Sequence, residues 1–383
     1  MSESHPAERR RIVVIGAGQA GLSAAHGLRR AGLIPHVDLE VLDANPGPGG
    51  AWSHRWDALT FDRAHGLHDL PGFPLGTPDP EEPAREVVKR YYGAYEDREQ
   101  LEVLRPWRVT SVERTAEPAP DLPGPRPRFL VTAQHGAAKE HAASKGHAAS
   151  KETRTFLADA VISATGTWDK PFIPTHAGHF AGRQLTTRGF VSPDEFTGQR
   201  VLVVGGGASA AQFIMLLRRN GVDTVWSTRT APRFTEQPFG PAWGRGVEHR
   251  VSARVRAGLP PLSVVAETGL QTDLYREGID AGWMESRGAI RRLLPHGVVF
   301  ADGTTEEVDA ILWATGFRAS LDHLAPLRLR TPGGGIRMMP DDVSVASAPG
   351  LALVGYGPSA STLGATRAGR KASRAVLTLT ESN

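Results

Sequence analysis

Cysteine is absent from all 383 residues. That removes disulfides, thiolate metal sites and any redox dithiol, and it agrees with a reducing compartment. No apolar run reaches the roughly 20 residues that a bilayer-spanning helix needs, so no membrane association is expected and the cytoplasm is the default setting. Neither sign of charge dominates: 44 Lys and Arg stand against 41 Asp and Glu, a formal charge of +3. No Lys/Arg-rich block with interleaved aromatics occurs, so a nucleic-acid surface is not indicated. With 40% hydrophobic and 22% charged residues the composition is that of a globular protein, and the length allows two or three domains. The start, AERRRIVVIGAGQAGL (7–22), imitates a signal peptide. The glycine spacing inside it has its own explanation and favours a first strand with a basic lead-in.

Residues Arg11 to Ile15 are nearly all apolar and β-branched, as a buried parallel strand requires. Gly16, Gly18 and Gly21 follow in G-x-G-x-x-G spacing. In a dinucleotide site the first glycine permits the tight turn, the second lets the backbone approach a pyrophosphate, and the third lets helix pack on strand. Gln19 and Ala20 then lie at the helix N-terminus, where free N–H groups favour phosphate. The helix should run to about Arg30 and end at Gly32, and HVDLEVLDA should form the next strand. Asp43 ends that strand, twenty-two residues after Gly21, where a carboxylate can accept from both hydroxyls of a ribose. Directly after comes PGPGGAWSHRW (46–56). Gly49 and Gly50 suggest a second close backbone approach, and Gly50, Ala51 and Trp52 are cofactor-site candidates. For Trp52 and Trp56, ligand contact and core packing are equally open.

A second such turn reads Gly205-x-Gly207-x-x-Ala210, with Ala208 and Ser209 opening the helix. The next strand is DTVWSTR, and the position of the acid, nineteen residues past Ala210, holds Arg229. A guanidinium there suits a ribose 2′-phosphate, with Arg233 assisting; the alternative is a solvated charge at a strand end. The segment Gly207–Ala211 has the outline of a serine-hydrolase elbow, but its last residue is alanine and the dinucleotide reading already accounts for it. Two different dinucleotides are therefore expected, a fixed FAD in the first site and NADPH in the second.

ADAVISATGTW (158–168) and VDAILWATGFR (308–318) rhyme: each is an apolar strand ending in Ala-Thr-Gly. Such strands would carry the chain between two domains, and Thr165, Gly166 and Gly316 join the cofactor candidates. The expected fold is α/β, with two Rossmann-like dinucleotide-binding domains. A FAD domain (1–168 and 311–383) receives an inserted NADP(H) domain (169–310). RPWRVTSVER (105–114) reads as a strand crossing the FAD domain, with the Val109 backbone against the adenine. Residues 114–152 hold the proline-rich EPAPDLPGPRPR and the duplicated HAASKGHAASKE, neither of which has a buried-face period, and read as a surface hairpin with a loose tip. His141 and His147 lack further ligands, and His54, His65 and His68 read as polar fillers of a cleft, so no metal is expected.

The two fingerprints, GGAW after the first acid, the two ATG strands and GTWDKPFIP (166–174) together resemble the flavin-containing monooxygenases, above all their compact bacterial branch. The likeness spans nearly the whole chain. It implies that FAD reduced by NADPH reacts with O2 to a flavin C4a-hydroperoxide, shielded by retained NADP+ until it oxygenates a sulfide, an amine or a ketone. Small-molecule substrate and O2 are the partners implied; a homodimer is left open. The family pattern F-x-G-x-x-x-H is met by Phe180-Ala-Gly182-Arg-Gln-Leu-Thr186, with threonine in place of histidine. Gln184, Thr186 and Thr187 of this segment, with His68, are the catalytic candidates. LALVGYGPSASTLG lacks the acid that many flavoproteins carry after the residue matching Gly357. The competing reading is a flavin oxidase or reductase that oxygenates nothing. A nucleotide-sensing flavoprotein without catalysis has no positive feature behind it.

Overall fold

Ile12–Ile15 are apolar on both faces because the strand they form is covered on both. In the computed structural model, which describes residues 6–64, 67–115, 128–136, 152–236, 241–262, 269–360 and 362–381, they lie in β1 (Glu8–Ile15). α1 (Gln19–Arg30), β2 (Leu39–Leu42) and α2 (Ala84–Glu99) follow, then β3 (Trp107–Arg114), β4 (Phe129–His135) and β5 (Thr153–Ser163). The sheet order is β2-β1-β5-β4-β3. β2, β1 and β5 are parallel, whereas β4 and β3 complete an antiparallel meander against β5.

The expected surface hairpin at 114–152 therefore needs correcting. FLVTAQH has period two: Phe129, Val131 and Ala133 are fully buried in β4, between β3 and β5. The ladder closes with His135 N–H donating to Glu152 O at 2.9 Å. The proline-rich stretch and the duplication, 116–127 and 137–151, lie outside the described residues, as do His65, His141 and His147.

Past β5 come β6 (Ala177–Gly178), β7 (Arg183–Thr186), β8 (Arg200–Val204), α3 (Ala208–Arg219) and β9 (Asp223–Ser227). Then follow β10 (Phe234–Thr235), α4 (Pro241–Arg256), β11 (Leu270–Gln271), α5 (Thr272–Asp280), β12 (Ile290–Leu294), β13 (Gly297–Phe300), β14 (Thr305–Glu307) and β15 (Ala310–Trp313). A parallel sheet β7-β15-β8-β9 forms the second unit, with β12–β14 as an antiparallel meander beside it. The chain then returns to the first sheet: β16 (Leu351–Leu353) pairs with β5, and α6 (Thr362–Glu381) closes the structure.

One expected domain limit falls inside a strand, and one helix packs across the two units. A boundary at 310/311 would cut β15, which belongs to the second sheet; the return crossing begins at Ala314. α4, inside the expected NADP(H) segment, reaches back to the first unit. Its Val255 is fully buried beside Leu324, Met338 and Tyr356, and the Val255 carbonyl accepts from Met338 N–H at 3.1 Å.

The two outward and return crossings are zipped together. Ser320 N–H donates to Gly166 O (2.9 Å), Phe172 N–H to Gly316 O (2.9 Å) and Arg318 N–H to Lys170 O (2.7 Å). Gly166 and Gly316 sit at φ +62° and +83°, so each Ala-Thr-Gly makes a turn that glycine permits.

Candidate functional site

The two glycine turns are built alike. Gly16 N–H donates to Leu42 O of the next strand (2.7 Å), and Gly205 N–H to Ser227 O (2.9 Å). Ala164 N–H donates to Ile15 O (2.7 Å), and Ala314 N–H to Val204 O (2.8 Å). The Ala of each Ala-Thr-Gly thus sits under the first glycine of a fingerprint. A Cβ on Gly16 would stand 2.6 Å from Ala164 O, and one on Gly205 2.2 Å from Ala314 O, both at positive φ. A Cβ on Gly21 would lie 1.8 Å from Gly16 O, whereas the second turn accommodates Ala210 fully buried at this place.

The middle glycines face the other way. A Cβ on Gly18 or Gly207 meets nothing within 4 Å. Each is the N-cap of its helix, with no side-chain cap and no acid in the first turn. These are cradles with room beside free N–H groups, which is what a pyrophosphate requires. Asp43 is 5% exposed. Its Oδ1 accepts from the Asn45 backbone and side chain at 3.2 and 3.1 Å, while Oδ2 is buried without a hydrogen bond, 3.5 Å from Arg105 Nε. Burial raises its carboxyl above the usual carboxylate range, against the lowering pull of Arg105. A ribose hydroxyl would give Oδ2 the donor it lacks. The residues fit FAD in the first turn and a second dinucleotide in the other.

A cleft of about 920 Å³ opens at the C-terminal ends of β1, β2 and β5 and receives the start of α3 from the second unit. This is where open α/β sheets bind ligands, and the volume lies at the upper end of the ~300–1,000 Å³ common for such sites. Of the expected residues, Gly16, Gly18, Gln19, Ala20, Asp43, Gly50, Ala51, Trp52, His68, Val109, Thr165, Gly166, Ala208 and Ser209 line it. Gly21, Gly205, Gly207, Ala210 and Gly316 do not. Gly21, Gly205 and Ala210 serve turn and packing, Gly207 opens its own cradle, and Gly316 belongs to the crossing. Gly50, at φ +54°, makes a close approach to Gly18: a Cβ there would stand 2.9 Å from Gly18 Cα. Both tryptophans line the cleft and pack against the second unit's core. Trp52 is half-buried, whereas Trp56 is buried, 4.7 Å between ring centroids from Phe213.

Arg229 is exposed at the end of β9, outside the cleft lining, and has no partner among the described residues. Gln184, Thr186 and Thr187 are not brought to the cleft either. Gln184 Oε1 accepts from Trp313 Nε1 at 3.1 Å, Thr186 pairs with Trp313 in the ladder, and Thr187 is buried. Their segment reaches the cleft through Arg188, which holds Asp169 at 3.1 Å. His68 lines the cleft, and its carbonyl accepts from Gln19 Nε2 at 2.7 Å. Behind Gln19 stands Tyr92, fully buried, its hydroxyl donating to Gln19 Oε1 at 2.8 Å. Where an acid was missing after Gly357, Ser359 Oγ accepts from Gly355 N–H at 2.9 Å.

Sequence reasoning read His54 as a polar filler of a cleft but passed over Arg55 and His323, which also line it. Arg55, between the two tryptophans of AWSHRW, lies over the rings of Trp168 (4.4 Å to the centroid) and Trp52 (5.6 Å). Burial brings its guanidinium down to about 10, so it stays a cation at neutral pH. His54 stacks on Trp168, and burial lowers its pKa. His323, 6% exposed with Nε2 3.0 Å from Ser163 Oγ, is brought by burial to about 4 and is neutral at pH 7. An arginine in an aromatic run was the available signal for Arg55; its lack of an acidic neighbour is a tertiary fact.

Known proteins agree with this geometry. Residues 94–343 match the pyridine nucleotide-disulphide oxidoreductase family, and residues 14–91 an NAD(P)-binding Rossmann-like domain. The structure is similar to that of a flavin-containing monooxygenase from Stenotrophomonas maltophilia, with a TM-score of 0.76 and 33% identity, covering 97% of this chain and 99% of that one. An indole-3-pyruvate monooxygenase, YUCCA1, of Oryza sativa subsp. japonica is 27% identical over 398 residues, covering 92% of this chain and 90% of its own. A bacillithiol disulfide reductase of Bacillus cereus shares the fold alone, at 15% identity and a TM-score of 0.68. Among the described residues no helix is long and apolar enough to cross a membrane, and no cluster of His, Asp and Glu could hold a metal ion.

Proposed function

Since the chain belongs to the flavin-containing monooxygenases, oxidoreductases that work with FAD and NADPH, we propose that it transfers one atom of O2 to a sulfide, an amine or a ketone. The observation that carries this reading is the shared cleft. Ala208, Ser209 and Gln212, at the start of α3, line the same cavity as Gly18, Asp43 and Trp52. A reductant seated on α3 and a flavin seated on α1 would then meet in one cleft, as direct hydride transfer requires.

FAD, when bound, supplies the redox chemistry with NADPH and O2. The chain's own residues hold and enclose it. Gly16, Gly18 and the first turn of α1 would take the pyrophosphate, and Asp43 the ribose. Gln19 is locked from three sides, by Tyr92, Thr366 and the His68 carbonyl, so its orientation is set before any ligand arrives. Trp52, Trp168 and His54 wall the cleft with rings and keep water from the reacting atoms. Gly207 with the first turn of α3 would take the NADPH pyrophosphate, and Arg229 the 2′-phosphate. Thr186 and Thr187, set back from the cleft, support its wall through β7 and Arg188 and make no contact with reacting groups.

A panel of thioethers, tertiary amines and cyclic ketones tests the reading, with O2 uptake and peroxide release followed together. Uptake in excess of peroxide, matched by oxygenated product, is expected with at least one class. Uptake fully accounted for by peroxide across the panel leaves the chain a flavin oxidase.

A further inference from the structure

Two donors in the cleft wall have no partner among the described residues. Arg55 Nε and Trp168 Nε1 are both buried and make no hydrogen bond. They stand together, since the Arg55 guanidinium lies over the Trp168 ring, and both residues line the cleft. The carboxylates of the same wall are already engaged. Asp43 faces Arg105 at 3.5 Å, Asp169 faces Arg108 at 3.0 Å and Arg188 at 3.1 Å, and Glu248 faces Arg367. Arg108 and Arg188 share the one carboxylate of Asp169, and Arg63 lies 3.9 Å from Asp62 on the exposed rim. Arg55 is left as a cation with aromatic rings around it and no counter-ion among the described residues. Cation–π contact offsets part of the cost of its partial burial, and a half-buried guanidinium with no acid beside it favours an anion. The dinucleotide phosphates have their own seats at the N-termini of α1 and α3.

We infer that Arg55 holds an oxyanion of the oxygenated substrate, so that the preferred substrates are carboxylic acids that also carry the sulfide, amine or ketone. The planar fork of arginine matches a carboxylate in two parallel hydrogen bonds. Such a clamp fixes one end of a small molecule and leaves the other to face the flavin. The site stands on the cleft geometry; what becomes of the bound acid rests on the monooxygenase reading.

The test uses the FAD-loaded protein and a matched pair of probes, 4-(methylthio)benzoate and its methyl ester, with binding measured by calorimetry. The wild type should bind the acid about tenfold to a hundredfold more tightly than the ester, the worth of one charge-assisted contact. Arg55→Met should bring the acid to the level of the ester and leave the ester as it was. Arg55→Lys, which keeps the charge without the fork, should recover part of the difference. Equal binding of acid and ester by the wild type overturns the inference whatever the variants do. So does a weaker grip on NADP+ in Arg55→Met with the acid unaffected, which would assign the arginine to a nucleotide phosphate. Sulfoxide formation is scored separately: an acid that binds through Arg55 and is never oxygenated keeps this site and removes the monooxygenase reading.

Discussion

Gly18 separates folding from cofactor binding. Its backbone, at φ −83° and ψ −171°, is one that any residue adopts, and a Cβ added there meets no protein atom within 4 Å. Gly18→Val should therefore fold, with the stability of the flavin-free protein changed by less than about 1 kcal/mol, because a slightly poorer N-cap is offset by a less flexible unfolded chain. The space its side chain enters is the cradle at the start of α1. Pushing a pyrophosphate away from even two N–H groups forfeits about 3–6 kcal/mol, roughly a hundredfold to ten-thousandfold in Kd for FAD. Gly16→Ala is the contrast. There φ is +98° and the new Cβ would stand 2.6 Å from Ala164 O, so the apoprotein itself should lose about 1–3 kcal/mol. Flavin absorbance per protein, FAD titration of stripped protein and urea unfolding of the apo forms measure the three quantities. A yellow Gly18→Val with wild-type flavin content, or an apo form as destabilised as Gly16→Ala, would refute the reasoning.

Arg229→Ala should raise the KM for NADPH about tenfold to a hundredfold and leave NADH little changed, the loss of one charged contact; equal losses with both coenzymes would move the 2′-phosphate elsewhere. Gln184→Ala takes the acceptor from Trp313 Nε1 and should cost about 1 kcal/mol in urea unfolding without a change in kcat; a tenfold drop in kcat at unchanged stability would return Gln184 to the chemistry. His323 is held neutral, with its pKa brought from about 6.5 in the unfolded chain to about 4. Its contribution is full above pH 6.5 and is lost as the pH falls through 4, about 3 kcal/mol in all, so stability should rise with pH across that window and His323→Asn should flatten the slope. Excision of 137–150 should leave the melting temperature within a few degrees, because the β4–β5 ladder already closes at His135 and Glu152; a larger drop would show that the segment is packed.

The glycine turns were legible because a backbone at positive φ or against a carbonyl leaves glycine no substitute, and Asp43 because its distance from the turn is set by one helix and one strand. The two ATG segments were legible as strand ends, but their place under the first glycines needed the sheet order. β4 was hidden because seven alternating residues stand between a proline-rich stretch and an alanine-rich repeat, and only the pairing with β3 and β5 buries them. Gln184 and Thr186 were read from a motif that fixes position along the chain and says nothing about which face of an edge strand meets the cleft. Trp52 and Trp56, four residues apart, both line the cleft and both meet the second unit's core, so ligand contact and core packing were not alternatives. Arg55 stood in plain view, yet its meaning depends on every nearby acid having found another arginine.

The measurement that bears most directly on the whole account is turnover under isotopically labelled O2, with NADPH as reductant and a thioether that passes the binding test. The account predicts that the sulfoxide carries one labelled oxygen atom, and that product and NADPH oxidised approach one to one. NADPH oxidised with all of the label in hydrogen peroxide, or a sulfoxide whose oxygen comes from water, would contradict it.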